Sequence, residues 1–124
     1  MKKKCIAVIL LCWMLSGVLP AQADQDAFEK AKLLIFDKQW AAALKELDGV
    51  IGQNESGRYH AAALFYRGKC LEELGAKKQA LESYEKFVGS SVSSSLAEEA
   101  RISIIDLAAA LFQAGEKEYL RKIL

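Results

Sequence analysis

Between Lys69 and Tyr84 the chain reads as the end of one helix, a turn at Gly75 and the start of a second helix, and no other feature constrains the fold as strongly. Gly68 stands seven residues before the turn glycine, Ala80 five after it and Tyr84 nine after it. Small residues so placed let two antiparallel helices, and the next pair beyond them, approach closely. A chain built from such pairs presents a surface to a partner and lacks the usual setting of a catalytic pocket.

The same organisation extends in both directions. Ala27, Phe28, Ala31, Leu34 and Ile35 recur at three- and four-residue steps, which predicts a helix from Asp24 to Phe36 with Asp24 or Asp26 as its cap. After the polar turn Asp37-Lys38-Gln39, a second helix carries Trp40, Ala43, Leu44, Leu47 and Val50 on one face. Gly49, Gly52 and the run from Gln53 to Gly57 should end it. A third helix is expected from about Arg58 to Leu74, its stripe formed by Ala61, Leu64, Phe65, Gly68, Leu71 and Leu74. Its partner spans about Lys78 to Val88, with Ala80, Leu81, Tyr84, Phe87 and Val88 inward. Ser95-Leu96-Ala97-Glu98 has the spacing of a capping box and should start a helix running through Ala100, Ile104, Leu107, Ala108 and Leu111 to Gly115. Residues 116 to 124 read as the start of another.

Shifting the chain by 37 residues lays Lys38-Gln39-Trp40-Ala41-Ala42-Ala43-Leu44 over Gly75-Ala76-Lys77-Lys78-Gln79-Ala80-Leu81. The arrangement resembles the tetratricopeptide repeat, a helix pair with small residues at fixed positions and an aromatic in its second helix. In that resemblance Gly68 is the small residue of the first helix, Gly75 the turn glycine, Ala80 the small residue of the second and Tyr84 its aromatic. In the first copy Ala31, Lys38, Ala43 and Leu47 stand at those positions, and in a partial third copy Ala108 and Gly115 match. The closing proline of the family pattern is absent, and the linkers are longer than its minimum. The implied fold is all-α, a right-handed superhelical solenoid of about two and a half repeats, at about residues 24–54, 58–91 and 96–124.

Residues 1–23 stand outside that fold. Lys2, Lys3 and Lys4 precede an apolar run, Gly17 and Pro20 break it, and Ala21-Gln22-Ala23 offers the small residues of a cleavage site, so a signal peptide cleaved after Ala23 is expected. Cys5 to Leu19 is 15 residues, short of the about 20 that a spanning helix needs, so no membrane span is expected once the leader is gone. Its three lysines leave with it and turn a formal charge of +1 into −2, which excludes the basic footprint of a nucleic-acid binder. Cys5 and Cys12 leave too. Cys70 then remains alone, unable to form an internal disulfide, and reads as a small apolar residue of a helix interface. His60 reads as a helix-surface residue.

These observations lead to a non-enzymatic interaction module or scaffold, periplasmic or secreted, that binds a protein or peptide and needs no cofactor or metal. The resemblance implies that the first helix of each pair lines a groove, with Phe28, Lys32 and Ile35 in the first copy and Phe65, Lys69 and Glu72 in the second. Lys32 and Lys69 would there hold acidic side chains or a terminal carboxylate beside the two phenylalanines. An enzyme would need a nucleophile and base, a carboxylate pair or a metal cluster, and the acids here read as solvated helix faces. The alternative is an N-terminal structural or oligomerisation segment of a larger exported protein. Leu111, Phe112, Tyr119, Leu120, Ile123 and Leu124 form a candidate apolar patch for a homodimer through the C-terminal helices.

Overall fold

The computed structural model describes residues 20–53, 57–90 and 94–124, so the body of the expected leader lies outside the described residues. Helix α1 runs Pro20–Phe36, α2 Trp40–Gln53, α3 His60–Glu73, α4 Lys77–Gly89 and α5 Ser95–Gln113. A 3-10 turn, Lys117–Tyr119, leads into the short α6, Leu120–Ile123. The described residues are all helical or in turns, and each helix packs on the next in sequence.

Each helix pair is closed by the same backbone device. Lys38, Gly75 and Gly115 have φ of 59°, 80° and 102°, the left-handed conformation that terminates a helix. In each turn the amide of that residue donates to the carbonyl three back (Ile35, Glu72, Phe112). The following amide donates five back, Gln39 to Leu34 at 2.8 Å, Ala76 to Leu71 at 2.9 Å and Glu116 to Leu111 at 3.0 Å. Glycine meets this requirement at two of the turns. At the first, the Cβ of Lys38 crowds its own carbonyl. Replacing Lys38 with glycine should therefore stabilise the protein by about 0.5–1 kcal/mol after the added unfolded-state entropy is deducted. A urea midpoint that fails to rise would show that the turn carries no such strain.

Several boundaries differ from the periodicity reading for local reasons. Helix α1 starts at Pro20, whose missing amide suits a first turn, so Asp24 and Asp26 lie inside the helix and cap nothing. The expected cleavage point falls in this first turn, and a chain beginning at Asp24 keeps the buried Phe28 and Ala31. Helix α2 continues past Gly49 and Gly52 because Val50 between them is buried, while both glycines face open space. Helix α3 starts at His60, with Tyr59 in the cap position. The expected capping box does not form. The extended Ser94 takes the cap of α5 without a side-chain hydrogen bond, which shifts the third helical position from Glu98 to Ala97.

The core is divided by α3. Its Ala63 and Cys70 pack with Phe28, Ala31, Ala43, Leu47 and Val50 of the first pair. Its Leu64, Phe65 and Leu71 pack with Ala80, Leu81, Tyr84 and Phe87 of α4 and Ala97, Ala100, Leu107, Ala108 and Leu111 of α5. An aromatic run crosses the divide: Phe28 to Tyr66 at 5.8 Å, Tyr66 to Phe65 at 5.3 Å, then Phe65 to Tyr84 at 5.8 Å and to Phe87 at 5.4 Å, mostly edge to face. Gly68 lies against the Tyr84 ring, so close that a Cβ built there would sit 2.8–2.9 Å from three ring atoms.

Candidate protein-binding cleft

Three of the six groove residues meet in one place. Ile35 at the end of α1, and Lys69 and Glu72 of α3, line a cleft of about 370 Å³ completed by Trp40, Glu73, Tyr84, Glu99 and Ser103. The left-handed turn at Lys38 sets Ile35 and Trp40 at one end. Helix α5 supplies Glu99 and Ser103 opposite, one turn apart on the same face.

Phe28, Phe65 and Lys32 are not part of the lining. Both phenylalanines are buried in the core, because the following helix pair covers their face of the first helix; they cannot serve as apolar anchors for a ligand. The two lysines lie over them in matching positions, Lys32 5.7 Å from the Phe28 ring centre and Lys69 5.3 Å from that of Phe65. Lys32 also pairs with Glu29 at 3.6 Å.

The electrostatics of the cleft reverse the expected sign. Lys69 is held by Glu99 at 2.6 Å, a tie between α3 and α5 that neutralises the one ammonium in the lining. Glu72 accepts a hydrogen bond from the Tyr84 hydroxyl at 2.9 Å. Burial, reinforced by that carboxylate, pushes the Tyr84 hydroxyl well above its usual range, so it remains a donor. Glu73 forms none of the ion pairs among the described residues. Three carboxylates against one paired lysine leave the cleft negative and unsuited to an acidic side chain or a terminal carboxylate.

Sequence reasoning missed Trp40, Glu73, Glu99 and Ser103. Trp40 carried the signal of a core residue. Glu99 meets Lys69 only because successive first helices lie side by side, a relation that spacing within one helix does not contain.

A larger cleft, about 780 Å³, lies between α2, α3 and α4 and is lined by Asp48, Ile51, Gly52, His60, Leu64, Arg67, Glu82, Lys86, Gly89 and Ser90. Its charges satisfy one another. Arg67 donates to Asp48 at 2.8 Å and to the buried Ser83 hydroxyl, and Lys86 pairs with Glu82 at 3.0 Å. His60 is half-buried here with Nδ1 unpartnered, against the expectation of a surface residue. Among the described residues no three of His, Cys, Asp and Glu stand together as a metal site, and no helix is long and apolar enough to cross a membrane.

Cys70 is fully buried, and its thiol is pushed up to about 11 from 9.0, first by burial and then by the charge of Asp48. The folded state therefore holds a proton that the unfolded chain releases above pH 9. Stability from this source is complete below pH 9 and lost as pH rises towards 11, on the order of 1 kcal/mol by pH 10. Cys70→Ala should flatten the fall in urea midpoint between pH 9 and 10, and thiol reagents should label Cys70 only after unfolding. Rapid labelling at pH 8 would contradict its place in the core.

Comparison of the chain with protein-family models, curated proteins and solved structures finds no match. The internal correspondence of its three turns is thus the basis for treating it as a repeat.

Proposed function

We propose that this chain is a non-catalytic protein-binding module of the tetratricopeptide type, a right-handed stack exported by its leader. Its cleft accepts a peptide segment carrying a basic side chain beside an apolar one. The single observation behind this reading is the lining itself: Ile35 and Trp40 offer apolar contact, and beside the Lys69–Glu99 pair Glu72 and Glu73 add two carboxylates that no ion pair among the described residues neutralises. The recurrence of one turn geometry at Lys38, Gly75 and Gly115 supports the repeat assignment. Burial of Ala31, Ala43, Leu47, Gly68, Ala80, Tyr84 and Ala108 supports the packing role given to those positions. The lysine-led apolar segment at residues 2–19 supports a periplasmic or secreted location.

An array of short peptides tests the reading directly. The processed protein should retain peptides with Lys or Arg next to an apolar residue, and binding should shift the emission of Trp40, the sole tryptophan after residue 23. Glu73→Lys with Glu99→Gln should weaken retention about tenfold, equivalent to about 1.4 kcal/mol, with unchanged helicity. Enrichment of acidic peptides, or an affinity indifferent to the double substitution, would reject the assignment.

A further inference from the structure

Helix α5 carries an apolar stripe that the fold leaves open. Ile102, Ile105 and Phe112 are 55%, 47% and 37% exposed, and the half-buried Ala109 lies between the last two. The spacing of three, four and three residues keeps all four on one face.

The internal correspondence shows what such a face does elsewhere in the molecule. Registering the pairs by their left-handed turns places Phe28, Phe65 and Ile105 at one position, because each lies ten residues before its turn residue, Lys38, Gly75 or Gly115. Phe28 is 6% exposed and contacts the rings of Tyr59 and Tyr66 from the next pair. Phe65 is 1% exposed and shares a cluster with residues of α5. Ile105, the third of the series, is 47% exposed and belongs to neither core cluster of the described residues, and its stripe borders the second cluster through Leu107, Ala108 and Leu111. The position buried in the first two members of the series is thus exposed in the third.

We propose that a second copy of this chain covers this face, α5 against α5, antiparallel about a two-fold axis. The 3-4-3 spacing reads the same in both directions, so the antiparallel copy sets Ile105 against Ala109 and Ile102 against Phe112, large against small at the centre where the helices come closest. None of these four side chains carries a charge to desolvate. Head-to-tail stacking on α1 is disfavoured, because Asp26 stands where Ala63 packs at the internal junction, and a charge would be buried without a partner. The inference is independent of the cleft, whose α5 residues Glu99 and Ser103 are not members of the stripe.

Sedimentation equilibrium of the processed chain tests it. The protein should sediment as a dimer, and Ile105→Glu should raise the dissociation constant about thirtyfold or more while leaving the circular dichroism spectrum helical. Leu33→Glu, on the exposed side of α1, should leave association unchanged. Oxidation of an Ile105→Cys, Ala109→Cys variant should give a covalent dimer. A chain monomeric at every concentration, a dimer insensitive to Ile105→Glu, or one dissociated by Leu33→Glu would each overturn the proposal, the last in favour of head-to-tail stacking.

Discussion

Phe65→Ala is expected to lower the free energy of unfolding by about 3–5 kcal/mol, a large share of the about 5–15 kcal/mol that a domain of this size possesses. The side chain is buried, its ring lies 5.3–5.8 Å from those of Tyr66, Tyr84 and Phe87, and its cluster draws residues from α3, α4 and α5 at once. Truncation removes both the transfer energy of the ring and contacts on three sides. Collapse cannot refill the space, since the surrounding rings are held by one another. Phe28→Ala, at the corresponding position of α1, should lose less, because its contacts come from the first pair and from α3 alone. Urea unfolding of both variants gives the comparison. A loss below about 1 kcal/mol for Phe65 would mean that the core is not organised around this ring.

Gly68→Val should destabilise by about 3 kcal/mol, although valine is the better helix former by a few tenths. Three atoms of the Tyr84 ring would lie 2.8–2.9 Å from the new Cβ, and the ring has no free path of retreat. It is buried, and its hydroxyl is fixed on Glu72. Accommodation therefore requires α3 and α4 to separate. The claim is tested by a double-mutant cycle: in a Tyr84→Leu background the milder Gly68→Ala should become neutral or stabilising, which makes the coupling about 1 kcal/mol or more. Additive effects would show that Gly68 is not selected by the ring.

The pairing of Gly68 with Tyr84 was legible from spacing, because a small residue before a turn and an aromatic after it meet when the two helices fold back. The role of Phe28 and Phe65 was not. Periodicity places both on the apolar face of a first helix, but whether that face is a groove or a buried junction depends on the following pair. The capping box at Ser95 failed for a related reason. One residue more of helix, which the packing of Ala97 and Ala100 allows, moves the cap to Ser94.

The order of turn and helix, the all-α class and the residues that pack between paired helices follow from the sequence alone, since apolar periodicity and the left-handed turn residues act over a few positions. Tertiary structure decided the sign of the cleft. Lys69 is cationic by composition, yet Glu99 lies thirty residues further on and reaches it only when α5 lies beside α3. Electrostatic character at a shared surface depends on distances through space, and local spacing along one helix cannot supply them.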